Sequence, residues 1–335
     1  MLVPFVIDAD SLAPDPAWTS AQHRACHKSL LDVWQRIGLL AHDGDRFDTS
    51  RLKSAIQQLP QNLRPLWQEV LQRVPLGSCG SVWNGQVEPA TLANFYATAK
   101  LAIVDDTRAE VVFDFPEDSD EIALPSGGAG NINICRLLAA NQATQFNEAL
   151  ARSGIHIESG DTFQAIWDLR FKSLASAPIK RISIVDRYSV SRHMKCGQSS
   201  LSGLERFLRL LDKDAIGARY VTLFSAWTAE LIGKHLSDIE ADIRLVWGQL
   251  PTKNIKRIKL HMVPNSGFRD DGHDRFVRFE NYVWDIGQGL NVFEGAFAPE
   301  KSAAAFKTGR LVLADYQRVE QDLAGHVDTR TAEVK

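Results

Sequence analysis

Short apolar runs alternate with amphipathic stretches along the first half of the chain. Residues 3–7 form an apolar run that predicts a buried strand, and it ends at two acidic residues, Asp8 and Asp10. Apolar residues at helical spacing predict a helix over residues 20–37, which stops at Gly38. The same reasoning predicts strands over 101–104 and 110–115 and helices over 134–150 and 163–174. Strands that alternate with helices indicate an α/β protein.

The second half repeats this alternation and adds a hairpin. Strands are predicted over 182–185, 220–224 and 257–263, and helices over 201–211 and 229–245. A turn at Glu280 and Asn281 should fold residues 283–286 back against the strand that precedes it. From residue 303 the tail reads as partly helical and then as frayed after His326.

A run of small residues ending at Pro178 suggests a domain boundary. We therefore predict an N-terminal α/β domain over residues 1–176 and a second domain over 177–335. The length of 335 residues allows two domains that each bury their own core.

The composition is that of a globular protein, with a formal net charge of -3. No apolar stretch approaches the roughly 20 residues that span a bilayer. Asp8 and Asp10 interrupt the first apolar run, so no signal peptide is indicated. The four cysteines show no CxxC pairing and suggest neither a disulfide framework nor a zinc site. We expect a cytoplasmic protein with no membrane partner.

The strongest chemical signal lies between residues 272 and 291. Strand periodicity puts His273 and Arg275 on one side of a strand, where an imidazole can attack phosphorus and a guanidinium can hold phosphate oxygens. Other basic residues nearby suit an anionic substrate, and we take these as candidate phosphate ligands: Lys259, His261 and Arg278. The alternatives are a histidine bonded to a neighbouring carboxylate and a plain solvated face.

His273 and Arg275 stand two residues apart, Glu280 follows five residues after Arg275, and a glycine-rich turn ends at Asn291. This order resembles the His-x-Lys motif of the phospholipase D superfamily. Arginine stands for the family's lysine and glutamate for its aspartate. The second half is also similar to the phospholipase D-like domain at the C-terminus of MIT-domain proteins, with residues 181–188 as its opening strand and loop. The resemblance implies a mixed sheet flanked by helices.

The resemblance also implies a function. His273 would be the nucleophile, Arg275 would neutralise charge, Glu280 would orient the histidine and Asn291 would hold a phosphate oxygen. The chain would then be a metal-independent phosphodiesterase that cuts nucleic acid without a cofactor, as a homodimer, with partner proteins in a bacterial defence or toxin system. The two substitutions favour an alternative, a catalytically inactive module that recognises a phosphate-bearing ligand, nucleic acid or partner protein.

Four aspartates follow predicted strands in the N-terminal domain: Asp8, Asp10, Asp105 and Asp106. Carboxylates that converge at one sheet edge can bind magnesium or manganese for phosphodiester hydrolysis, and this pattern loosely resembles a PIN-type nuclease. Acids at strand ends also serve as helix caps and turn formers. His23 and His27 have the i, i+4 spacing of metal ligands, but an ordinary amphipathic helix is the simpler interpretation.

Overall fold

The computed structural model of the chain describes residues 1–14, 16–127, 130–196, 201–268 and 275–335. Two compact units are present, one formed by Leu2–Ala151 and the other by Arg152–Lys335 together with Met1. Both units combine a sheet with helices, so the predicted α/β class with two domains is confirmed. No helix in the described part of the chain is both long and apolar enough to cross a bilayer.

The N-terminal unit is built on a six-stranded sheet. Its strands are β1 Val3–Ile7, β2 Gly38–His42, β3 Gly77–Ser78, β4 Leu101–Val104, β5 Glu121–Pro125 and β6 Asn131–Arg136. Its helices are α1 Ser20–Ile37, α2 Arg51–Gln58, α3 Arg64–Leu71, α4 Leu92–Phe95, α5 Asp106–Val111 and α6 Thr144–Arg152. The strand order is β3-β2-β1-β4-β6-β5, and all pairs are parallel except β5 with β6.

After β1, the chain adds β2 and β3 on one side of that strand. It then returns to add β4 on the other side of β1. Strand order therefore reverses between β1 and β4, and ligands of doubly wound sheets commonly bind at the carboxyl ends of such strands. One face of the sheet packs Phe5 against Trp34 of α1 and Phe146 of α6. Val6, Ala102 and Ile134 are buried in the core on the opposite face.

The C-terminal unit contains a seven-stranded mixed sheet. Its strands are β7 Arg181–Asp186, β8 Arg219–Trp227, β9 Ile255–Pro264, β10 Arg275–Phe279, β11 Tyr282–Ile286, β12 Ala304–Lys307 and β13 Arg330–Val334. Its helices are α7 Phe163–Ile166, α8 Lys172–Ala175, α9 Ser189–Cys196, α10 Gly203–Asp214, α11 Leu236–Gly248 and α12 Arg310–Gly325. The order is β12-β11-β10-β7-β8-β9-β13, with β7, β8 and β9 parallel.

Residues 152–176, which the sequence assigned to the first domain, belong to the C-terminal unit. Trp167 packs edge-on against Phe207 of α10, with ring centroids 5.5 Å apart. The buried Arg219 guanidinium donates to the carbonyl oxygens of Ala175 and Ala177 at 2.8 and 2.7 Å. These contacts tie the segment before β7 to the sheet that follows it.

Several sequence predictions hold, and others are wrong. Helix α1 runs from Ser20 to Ile37 as predicted, and the turn at Glu280 does pair β10 with β11. The strand predicted over 110–115 is wrong, because the Asp105 carboxylate caps α5 by accepting the Arg108 N–H at 2.8 Å. Residues 131–136 form β6, so the helix predicted over 134–150 begins only at Thr144. The predicted frayed end instead forms β13, which pairs with β9.

Candidate functional site

The motif around His273 falls partly outside the described residues, which resume at Arg275. Arg275 is the first residue of β10 and is the register partner of Asp186, the last residue of β7. Directly opposed residues of antiparallel strands point to the same face, so both side chains lie on one side of the sheet. Because β7, β8 and β9 are parallel, this position lies at the carboxyl edge of all three strands.

Asp186 anchors this edge. Its side chain is almost completely buried, and Oδ1 accepts the Tyr188 N–H at 3.0 Å while Oδ2 accepts the Leu290 N–H at 2.7 Å. Burial raises the pKa of Asp186, and the two N–H donors together with Arg192 and Arg275 oppose that rise. One carboxylate thus connects the end of β7 to the segment that follows β11.

Two glycines allow that segment to approach so closely. Gly289 has a φ of +57°, and a Cβ atom at this position would overlap Oδ2 of Asp186. A Cβ atom at Gly203 would overlap the carbonyl oxygen of Leu290. The Arg275 guanidinium donates to the carbonyl oxygen of Gly287 in the same segment.

Three arginines surround the ring of Tyr188, and we call these four residues the Tyr188 cluster. The guanidinium carbons of Arg187, Arg192 and Arg275 lie 5.6, 5.7 and 5.3 Å from the ring centroid. Arg187 Nε donates to Asn265 Oδ1 at 2.9 Å. Arg192 Nη1 is buried and has no hydrogen-bond partner among the residues that the structure describes. Cationic donors therefore converge at the carboxyl edge.

The structure brings only some of the predicted catalytic residues together. Asn291 follows Leu290 in a short 3-10 turn at the edge that carries Asp186 and Arg275. Glu280 lies at the opposite end of β10, about 17 Å from Arg275 at the rise of an extended strand. There its Oε1 accepts the N–H groups of Lys180 and Arg181 at 3.1 and 3.2 Å. His273 lies outside the described residues.

The three predicted phosphate ligands lie on the other face of the sheet, the face on which α12 packs. Arg278 is fully engaged there, because Nε donates to Glu320 Oε1 at 2.7 Å and Nη1 donates to the Glu280 carbonyl at 2.8 Å. His261 is buried and stacks on Phe224 at 4.7 Å, and burial lowers its pKa to about 4. Lys259, two residues earlier on β9, shares this face.

Sequence reasoning missed Asp186 and most of the Tyr188 cluster as a site. A usable signal was present, because Asp186, Arg187 and Tyr188 directly follow a buried strand. Polar residues at the ends of parallel strands converge at one edge. Arg192 gave no such signal, since its position depends on how α9 packs.

The four N-terminal aspartates are satisfied by groups of their own domain. Asp8 is buried, accepts the Val87 N–H at 2.6 Å and pairs with Arg108 at 3.0 Å. Burial raises the pKa of Asp8, while the Val87 N–H and Arg108 lower it. Asp10 pairs with Arg51 at 2.6 Å.

The remaining two aspartates lie at the start of α5. Asp105 is its cap, and Asp106 lies 3.3 Å from Arg136. Within the described ranges no group of three or more histidine, cysteine or acidic side chains is placed to hold a metal ion.

A small cavity of about 20 Å³ lies at the carboxyl ends of β1 and β4. Its lining consists of Ser11, Ala13, Trp18, His23, His27, Asp105, Asp106 and Leu137. The buried His27 accepts the indole N–H of Trp67, with 3.0 Å between Trp67 Nε1 and His27 Nδ1. Burial lowers the pKa of His27 to about 4, and nearby His23 lowers it by a smaller amount. His27 thus belongs to the core of α1 and α3.

No known family model matches the sequence, and no curated protein shows significant similarity to it.

The pKa of His27 predicts a pH dependence of stability. The unfolded chain binds a proton near pH 6.5 and the folded domain only near pH 4, so the free energy of unfolding should fall as the pH drops between these values. The full loss is about 3 kcal/mol, at about 1.4 kcal/mol per pKa unit. The free energy of unfolding, measured with urea at several pH values, should depend less steeply on pH in His27→Asn. The asparagine side chain can still accept the Trp67 N–H. The exposed His156→Asn should keep the wild-type dependence, and an unchanged slope in His27→Asn would contradict the assignment.

Proposed function

We propose that the C-terminal unit binds the phosphates of nucleic acid at the Tyr188 cluster. The observation that carries this proposal is the convergence of three guanidinium groups within 6 Å of one tyrosine ring at the carboxyl edge of the sheet. Guanidinium groups bind phosphate through paired N–H donors, and they remain charged at all physiological pH values. The proposed activity is therefore recognition of a phosphate-bearing ligand.

Electrostatics supports an anionic ligand at this position. Arg187 donates to the Asn265 amide oxygen and Arg275 donates to the Gly287 carbonyl oxygen, and these bonds help to fix the directions of the two side chains. Arg192 Nη1 supplies a buried donor whose partner is missing among the described residues.

The choice of nucleic acid among phosphate-bearing ligands rests on the resemblance to the phospholipase D superfamily. On the same basis we propose a homodimer in the cytoplasm that works with partner proteins of a bacterial defence system. These assignments rest on the sequence motif, whereas the phosphate site rests on side-chain geometry.

Binding of a small phosphate ligand tests the proposal. A fluorescein-labelled dinucleotide with a 5′ phosphate is too short to reach the far edge of the sheet, about 17 Å away along β7. Its affinity, measured by fluorescence anisotropy in EDTA, should fall about tenfold in Arg192→Gln and in Arg187→Gln, because each change removes one phosphate contact.

Arg318→Gln is the matched control for these variants. Arg318 is exposed on α12 and pairs with Asp315, so its loss should leave dinucleotide affinity unchanged. Wild-type affinity in both cluster variants, or no binding by the wild-type protein, would contradict the proposed site.

A second candidate is hydrolysis of the bound phosphodiester by His273. The observation that favours it is that Arg275, two residues after His273 in the sequence, lies at the same edge as the turn that carries Asn291. An imidazole nitrogen would attack phosphorus and displace the alkoxide leaving group, and water would then cleave the phosphohistidine. Glu280 has no part in this scheme, because β10 separates it from Arg275.

Cleavage of labelled single- and double-stranded DNA and RNA in excess EDTA tests this second candidate. Hydrolysis through a phosphohistidine should persist in EDTA and disappear in His273→Ala, since no metal takes part in the step. Arg318→Gln should cut at the wild-type rate. Equal cutting by wild type and His273→Ala would rule out the mechanism, and no cutting at all would leave the protein as a binding module.

A further inference from the structure

A row of exposed side chains crosses three neighbouring strands near their amino ends. Arg181 of β7 is the register partner of Tyr220 of β8, and Tyr220 is the register partner of Arg257 of β9. Register partners in parallel strands point to the same face, and the Arg257 guanidinium carbon lies 5.5 Å from the Tyr220 ring centroid. An aromatic ring is thus flanked by an arginine on each side.

This part of the sheet face is open to solvent. The Arg181 side chain is 83% exposed, Tyr220 is 39% exposed and Arg257 is exposed. Further along the same face, Val185 and Phe224 are buried with Tyr316 and Leu323 of α12. Helix α12 therefore packs on the half of the face near the carboxyl edge, whereas these three side chains near the amino edge are exposed among the described residues.

The surface is cationic, although it contains acidic groups as well. Four positive groups belong to it or border it: Arg181, Arg257, Lys259 and Lys335. Two acidic groups face them, Glu280 at 4.0 Å from Arg181 and Glu333, which is bound to Lys335 at 2.7 Å and is the register partner of Lys259. Cations therefore outnumber acids around an exposed aromatic ring.

We propose that this surface, Arg181, Tyr220, Arg257 and Lys259, binds single-stranded nucleic acid. An unpaired base stacks on the Tyr220 ring, and the flanking cations contact the phosphates on either side of it. Stacking on an exposed aromatic side chain requires a free base face, which a duplex does not offer. Lys259, which the sequence predicts as a phosphate ligand, would contact one of these phosphates.

The choice of nucleic acid as the ligand rests on the proposed function. The surface adds a second contact with that ligand, separate from the Tyr188 cluster. Strand β7 carries both sites, with Arg181 at its first residue and the Tyr188 cluster directly after its last. The two sites are about 17 Å apart along the strand. A dinucleotide held at the Tyr188 cluster does not reach Tyr220, which lies at the other end of the strands and on the opposite face of the sheet, whereas an oligonucleotide of about 12 nucleotides is long enough to occupy the Tyr220 surface.

Affinity for a labelled oligothymidylate of about 12 nucleotides, measured in EDTA, tests the surface. Tyr220→Leu keeps an apolar side chain but removes the aromatic face, and it should weaken binding about tenfold. Tyr220→Phe should bind as wild type does, because it retains the ring. Arg257→Gln should make the salt dependence shallower by about 0.7 in logarithmic slope, the value for one lost phosphate contact on a single strand. Arg318→Gln should change neither quantity.

The outcomes separate this inference from the proposed function. Weaker oligothymidylate binding in Tyr220→Leu, with dinucleotide binding unchanged, supports the surface. The inference is overturned if Tyr220→Leu binds oligothymidylate with wild-type affinity, or if the wild-type protein binds duplex as tightly as the single strand. Neither result would change the conclusion drawn from dinucleotide binding at the Tyr188 cluster. Unfolding curves of both Tyr220 variants should match the wild type, since the residue lies outside the core.

Discussion

The buried carboxylate of Asp186 is the constraint on which the C-terminal site depends. A carboxylate removed from water must be hydrogen-bonded, and here both oxygens accept backbone N–H groups, from Tyr188 and Leu290. One of these bonds fixes the turn out of β7, and the other fixes the segment after β11. Gly203 and Gly289 follow from the same constraint, because a side chain at either position would block the close approach.

This anchor explains why cationic side chains collect at the carboxyl edge. Arg275 lies opposite Asp186 across the β7 and β10 pair, and Arg192 also contributes to stabilising the buried charge. Because both arginines oppose the rise in the pKa of Asp186, they have a structural role as well as the proposed binding role. The carboxyl edge of the N-terminal sheet differs, since its aspartates are held by Arg51, Arg108 and Arg136.

Local signals were sufficient to predict much of the fold but little of the site. Helix α1 was predictable because Thr19 and Gln22 form a capping box before an apolar periodicity, and Gly38 ends it. The segment 110–115 was not predictable from its apolar pattern, because a cap at Asp105 started a helix instead.

The Tyr188 cluster depends on contacts between residues far apart in the sequence. Arg275 lies beside Tyr188 because of the register of β10 on β7. The same register places Glu280 away from the site. Spacing along the chain placed Glu280 beside the motif, whereas a five-residue extended strand carries it to the opposite edge. Likewise, the alternation of β9 turned Lys259 and His261 toward the other face.

The affinity of Asp186→Asn for the 5′-phosphorylated dinucleotide at pH 8 tests the anchoring role most directly. Electrostatics alone predicts tighter binding, because the change removes a negative charge beside three arginines. We predict that binding weakens by about tenfold, because the asparagine oxygen accepts one N–H and the amide group of asparagine opposes the other, which releases Arg275 and the Gly287–Leu290 segment. Equal or tighter binding by Asp186→Asn would contradict the claim that the buried carboxylate positions the site.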